Sequence, residues 1–388
     1  MLSAENVLAG VMLLALTFYA LLGGADFGGG VWDLLATGPR AARQRALITD
    51  AIGPIWEANH VWLILVIVIL FTAFPPAFAA IMTALHIPLT ILLIGIVLRG
   101  TAFIFRTYDA QTDDVQRRWS RVFAVASVIT PIMLGICVGA IASGRIVVQD
   151  GIVTGGFVAP WLAPFPLAVG GLALALFAVL AAVYLTVEAR SGDRRQETGD
   201  SIHDEGHSGA DDPVVGRRSS VVGRRSSVAS VAALQDDFRR RALLAALAVG
   251  VLALLVFLLS AMGAPRVRAG LSATPWAWPL QIATGVAAVG AIGALWVRRF
   301  YLARACAAVQ VALIIWGWGA AQFPYLVEPS ITIQDAAAPP VTLRLLLGAL
   351  LAGAVVLFPS FFFLYRVFKG EHAFAVVEDA AEQGPAGR

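Results

Sequence analysis

Three ionisable side chains sit where an apolar chain has least use for them. Asp26 follows a run of apolar residues from 7 to 22 and lies inside GGADFGGGVWDLL; Glu57 lies inside GPIWEANHVWLI; Arg99 lies inside VLRGTAFIFR. Charges in hydrocarbon cost roughly 2.5–3.5 kcal/mol each on insertion scales, so those that persist are candidates for function. Glu57 has polar company on its own helix: His60 is its neighbour three residues on, and the amide of Asn59 lies beside it. A carboxyl partly removed from water near an arginine can exchange protons near neutral pH, which makes Glu57 a candidate proton relay. The alternative is a structural acid that pairs with Arg99 and pins helices together. Asp26 carries the same two readings, relay or simple acceptor for the backbone donors of a turn. Arg99 is the expected counter-charge, with a quinone or propionate contact as the lesser role. Trp56 and Trp62 flank the acid and are the aromatic residues placed to touch a cofactor.

Other candidates carry less. Glu57-x-x-His60 resembles half of a bundle metal site, but no matching Glu-x-x-His recurs in the spans and His86 stands apart, so no protein-ligated metal is expected. Trp276 and Trp278 stand where an apolar segment begins, as interfacial belts do; Trp316 and Trp318 form a second pair. Cys137 and Cys306 fall in apolar stretches and read as packed thiols. VVGRRSS occurs twice in succession, at 214–220 and 221–227, and reads as a duplication in an unconstrained loop or as a pair of basic-Ser modification sites.

The elements that must position these residues follow from composition. Of 388 residues, 59% are hydrophobic and 14% charged, too apolar for a water-soluble core. Nine runs are long enough to cross a bilayer, at about 5–25, 54–74, 78–104, 119–143, 164–188, 242–263, 277–297, 303–323 and 342–367. Pro75 and Pro76 separate the second and third, predicting a tight hairpin of two spans. The expected class is all-α, a polytopic membrane protein.

Lys and Arg collect on cytoplasmic loops. With the N-terminus outside and the C-terminus inside, 23 of the 28 fall on inner segments and only Arg145, Arg266 and Arg268 on outer ones. The net charge of +3 is therefore topological and predicts no nucleic-acid partner. MLSAEN carries Glu5 and no Lys or Arg, so no cleaved leader is expected. By distance from the nearest inner loop, Asp26, Glu57 and Arg99 all lie within one to two turns of the cytoplasmic face. Residues 1–189 and 241–370 form two transmembrane bundles. Between them 190–240, rich in Ser, Gly, Asp and Arg, is expected to be a disordered cytoplasmic loop, and 371–388 a cytoplasmic tail.

The four stretches GGADFGGGVWDLL, GPIWEANHVWLI, VLRGTAFIFR and QFPYLVEPSITIQDAAA (322–338) resemble, in order and spacing, subunit II of the cytochrome bd-type quinol oxidases. The 190–240 insert is the main unmatched part. The resemblance implies two four-helix bundles plus one further helix, in a bacterial inner-membrane complex that oxidises quinol and reduces dioxygen to water with cytoplasmic protons. It implies that haem b and haem d belong to subunit I, which this chain clasps as a pseudo-symmetric heterodimer. It further admits a structural quinone in this subunit and a small single-helix third subunit. The family's proton-path acids fall on Asp26 and Glu57. There are departures: relatives with Asp-Gly-Phe-Asp in the first motif have an acid where this chain has Gly23, a pattern resembling the cyanide-insensitive branch, and many have Asp at the place of Glu57. Asp33 or Asp50 could replace the missing acid. The competing class is a proton- or ion-coupled transporter, which would place its polar groups near mid-membrane.

Overall fold

The computed structural model describes residues 3–52, 56–108, 113–205 and 213–369. Its helices are α1 (Ala4–Leu34), α2 (Ala41–Ile52), α3 (Trp56–Asn59), α4 (Val61–Ala73), α5 (Pro75–Ala84), α6 (His86–Tyr108) and α7 (Asp113–Ala142). These are followed by α8 (Pro164–Glu205), α9 (Pro213–Gly263), α10 (Pro265–Ala273), α11 (Ala277–Trp296), α12 (Phe300–Gln322) and α13 (Pro340–Lys369). Two antiparallel ribbons interrupt them, β1 (Val148–Gln149) with β2 (Ile152–Val153) and β3 (Tyr325–Val327) with β4 (Ile331–Thr332).

Among the described residues eight helices are long and apolar enough to cross a membrane, and the bent pair Glu57–Ala73 and Pro75–Ala84 makes a ninth if taken as one span. The protein is all-α and polytopic. α1 packs on α4 and α7, and α6 on α7; α8 packs on α9 and α12, and α11 on α12. Those two groups of four meet where α1 and α7 both lie against α8, and α13 stands outside them, touching α1 and α4. The largest core cluster fills the α1–α7–α8–α9–α12 junction, with Tyr19, Phe27, Phe123, Phe177 and Phe238 nearly inaccessible.

Several boundaries differ from expectation. α1 continues through the glycine run to Leu34, nine residues beyond the predicted end at 25. Interior glycine costs a helix about 1 kcal/mol, and here its absent side chain permits close packing. A Cβ at Gly28 would lie 1.9 Å from the Phe177 carbonyl oxygen, and one at Gly30 would lie 2.2 Å from Ser127. The predicted tight hairpin is instead a 119° bend at Phe74 followed by a separate helix, so the third span begins at His86 rather than 78. Proline at the first position of α5 is compatible with helix because that N–H has no intrahelical partner anyway. The stretch expected to be a disordered loop over 190–240 is helical to Glu205 and again from Pro213, with 206–212 outside the described residues. Once a span has nucleated a helix, its Arg-, Glu- and Ala-containing flanks can propagate it.

The two ribbons form one lobe at the ends of the helices away from Leu34. Val148 N donates to Ser330 Oγ at 3.2 Å, that hydroxyl donates to Ile146 O at 3.1 Å, and Ala338 N donates to Ala73 O at 2.8 Å. Cys137 and Cys306 are free thiols.

Candidate functional site: a buried Asp–Asn–Arg cluster

Asp26 is not at a helix end. It lies inside α1, where backbone donors are already engaged, so the reading of it as the acceptor of a turn is overturned. Its side chain is buried, and Asn59 Nδ2 donates to Asp26 Oδ2 at 2.5 Å. Asn59, itself 2% exposed, reaches inward because the second span begins with the single turn of α3 and breaks at His60 before α4 resumes.

Arg99 on α6 completes the cluster. It is 2% exposed and the largest fully buried side chain among the described residues. Its Nε donates to Ser127 Oγ at 3.2 Å, and its guanidinium carbon lies 4.7 Å from the Phe27 ring centroid and 5.1 Å from that of Phe123. Two aromatic faces therefore hold the cation. Arg99 interacts electrostatically with Asp26 and Tyr19, and its Nη2 is buried without a hydrogen-bond partner among the described residues.

Glu57 is not brought to this cluster. It is exposed, with no ion pair among the described residues, so its expected pairing with Arg99 is not seen. The reason is geometric: two residues apart on a helix project about 200° apart, so the turn that aims Asn59 inward aims Glu57 outward. His60 packs between the rings of Tyr19 and Phe27, at centroid distances of 5.9 and 6.1 Å. Trp62 is core: it stacks on Phe18 at 4.6 Å and on Phe361 at 5.6 Å. The Trp56 side chain lies outside the described residues.

Of the two substitute acids, Asp50 is exposed, whereas Asp33 is 3% exposed with Arg45 Nε 3.9 Å from its carboxylate. Tyr19, Asp26 and Asp33 are spaced by sevens, which places all three on one face of α1. Sequence reasoning missed Tyr19, Phe27, Phe123 and Ser127 as site residues. That seven-residue spacing was a usable signal for Tyr19, and Phe123 and Ser127, four apart on α7, present a ring and a small hydroxyl on one face.

Among the described residues, His60 and His86 are not brought together as a pair of ligands. His60 is wedged between two rings, and His86, whose Nδ1 lies 2.9 Å from Thr83 O, is separated from it by α4 and α5. Among the described residues no three His, Cys, Asp or Glu side chains gather as metal ligands. A different kind of space opens between the two helix groups: a cavity of about 420 Å³, walled by apolar side chains such as Leu16, Phe165, Leu172 and Ile314. Trp318 lines it, with its indole N–H buried and without a partner among the described residues.

Residues 4–201 and 227–368 match the family model described as cytochrome bd terminal oxidase subunit II. The gap between the matched segments falls in the insert singled out above. A stretch of 129 residues is 35% identical to cytochrome bd ubiquinol oxidase subunit 2 of Bacillus subtilis, covering 32% of this chain and 37% of that protein, little more than a third of its length. A second Bacillus subtilis protein, under the provisional name cytochrome bd menaquinol oxidase subunit II, is 22% identical over 365 residues, 90% of this chain and 91% of the relative. Among solved structures, a chain of the bd oxidase from Geobacillus thermodenitrificans superposes with a TM-score of 0.66 over 95% of this chain and 99% of that one, at 21% identity, a likeness of fold.

Proposed function

The chain belongs to the cytochrome bd terminal oxidase subunit II family, and on that premise we propose that it is the haem-free subunit of a membrane oxidase that couples quinol oxidation to reduction of dioxygen to water. In this reading it packs against a haem-bearing subunit I and supplies that subunit with cytoplasmic protons. The observation that carries the proton role is the Asn59–Asp26 hydrogen bond, with the caged Arg99 behind it.

Protons enter at the inner end of α1, where Asp33 sits beside Arg45. Asp26 follows two turns deeper, about 10 Å along the axis, a step that needs bridging water. Asn59 fixes the orientation of the Asp26 carboxylate. Arg99 supplies positive charge, and the Phe27 and Phe123 faces keep that charge tolerable when Asp26 is protonated. Glu57, exposed on this chain two residues from Asn59, is then the acid at the surface where the partner subunit receives the proton.

In this reading the N-terminus lies outside and the C-terminus in the cytoplasm, an orientation supported by the bias of arginines toward one set of loops. The two helix groups divide between α7 and α8, at 143–163. Haem b and haem d, on subunit I, supply the electron transfer and oxygen chemistry. A structural quinone fits the apolar cavity between the helix groups, whose walls would hold its tail and Trp318 its head; no proton step passes through it.

The class is tested by purification. Co-purification with haem b and haem d absorbance and quinol-dependent oxygen uptake are expected; isolation of this chain alone, haem-free and conducting a solute in liposomes, ends the oxidase reading. The path is tested by Asp26→Asn and Glu57→Gln complexes with intact haem spectra. Unchanged oxygen consumption and proton uptake in both would remove the relay while leaving the family assignment standing.

A further inference from the structure

The loop after α1, the first turn of α2 and the middle of α9 enclose a polar cavity of about 240 Å³, lined by Thr37, Arg40, Gln44, Asp237, Arg240 and Arg241 among others. Its charge is unbalanced. Arg40 closes a two-point bridge on Asp237, from Nε at 2.7 Å and Nη2 at 2.6 Å, and Gln44 Nε2 reaches the same carboxylate at 2.9 Å. Arg241 shares that carboxylate only electrostatically, and Arg240 makes no ion pair among the described residues. Arg241 is held in place: Nη2 donates to Gln44 Oε1 at 2.7 Å and to Leu35 O at 3.2 Å, and its guanidinium carbon lies 5.6 Å from the Trp32 ring and 5.3 Å from the Phe238 ring. Its other nitrogen, Nη1, is buried with no hydrogen-bond partner among the described residues. A buried donor on a fixed cation calls for an acceptor. Arg240 is exposed beside it and makes no hydrogen bond among the described residues.

The surroundings identify the kind of anion. Below Arg240 on the same face of α9, at offsets of 4, 7, 11, 14 and 18 residues, stand Leu244, Leu247, Val251, Leu254 and Leu258, all exposed. A paired cationic mouth over an apolar stripe matches a molecule with a charged head and a hydrocarbon tail. Planar guanidinium groups suit phosphate oxygens, and basic pockets between spans at the cytoplasmic face take anionic headgroups.

We propose that this cavity binds the phosphodiester of an anionic lipid, with Arg240 and Arg241 as its donors and its acyl chain lying along the Leu244–Leu258 stripe. The lipid then ties α1 and α2 of the first helix group to α9 of the second. Free phosphate shares the headgroup chemistry and lacks the tail.

The test is native mass spectrometry of the complex as purified from membranes, in detergent micelles, titrated with dioctanoyl phosphatidylglycerol or dioctanoyl phosphatidylcholine, with millimolar inorganic phosphate as competitor. The wild-type complex is expected to prefer phosphatidylglycerol and to keep it in the presence of phosphate. Arg240→Gln weakens that binding about five-fold, the effect of one surface arginine, and Arg240→Gln/Arg241→Gln abolishes the preference. Arg241 also packs against Trp32, so the double variant can lose its fold; Arg240→Gln, altering an exposed side chain, decides alone in that event. Equal binding of the two lipids, displacement of phosphatidylglycerol by inorganic phosphate, or unchanged binding in Arg240→Gln overturns the proposal.

Discussion

Asn59 and Asp26, 33 residues apart, meet in a 2.5 Å hydrogen bond that ties the first turn of the second span to the interior of the first. A neutral amide donating to a buried carboxylate sets which way that carboxylate faces. Hydrogen bonds to charged groups contribute about 1.5–3 kcal/mol, or roughly ten-fold or more in rate if the loss falls on the relay step. Asn59→Ala should therefore lower oxygen consumption about ten-fold at matched haem content. Wild-type turnover in that variant would show that the bond is structural only.

The sequence made much of this legible. Spans were readable because roughly twenty consecutive apolar residues have few other uses, and the depth count placed Asp26, Glu57 and Arg99 toward one end. What could not be read was direction around the helix axis within the second span. Helical spacing puts Glu57 and Asn59 on opposite faces without saying which face turns inward; the packing of α3 against α1 selects Asn59. The persistence of α1 through GGADFGGG was hidden for a related reason. Local propensity counts each glycine against helix, while the packing on Phe177 and Ser127 that offsets this comes from α8 and α7, more than ninety residues away.

Arg99 is the least replaceable member of the cluster. Removing one partner of a buried ion-paired set costs about 3–5 kcal/mol because the other charge is stranded. Arg99→Met should thus sharply reduce the yield and melting temperature of the complex. Adding Asp26→Asn should restore much of the stability, since both charges are then gone, but not the turnover. A double variant no more stable than Arg99→Met would mean that Asp26 is not the charge Arg99 balances.

The helix interface at the glycine run offers an internal control. A methyl at Gly28 collides with the Phe177 backbone, which cannot rotate away, whereas one at Gly10 or Gly293 meets nothing within 4 Å. Overpacking typically costs about 1–3 kcal/mol. Gly28→Ala should lower the melting temperature of the complex and disturb the environment of Asp26, two residues before it on α1, while Gly10→Ala and Gly293→Ala leave both unchanged. Equal melting of all three would show that α1 and α8 can separate at no cost.

On the opposite side, Glu328 gives the ribbon lobe a pH response. Its side chain is 5% exposed, and the half-exposed Arg266 lies 3.5 Å away, its guanidinium carbon 4.8 Å from the Tyr325 ring. Burial pushes the Glu328 carboxyl above its ordinary range, and Arg266 pulls it only partly back. Because the folded value lies above the unfolded one, the stability this group contributes is complete below the unfolded value and is lost as pH rises through the folded value. The β3–β4 ribbon should therefore be better protected in acid than at neutral pH. Hydrogen-exchange protection factors over 325–333, corrected for intrinsic exchange, should fall toward neutrality in the wild type and stay level in Glu328→Gln. In Arg266→Ala, where nothing opposes the burial effect, they should fall further. Protection that rises toward neutral pH in the wild type would reverse the sign and remove Glu328 as its source.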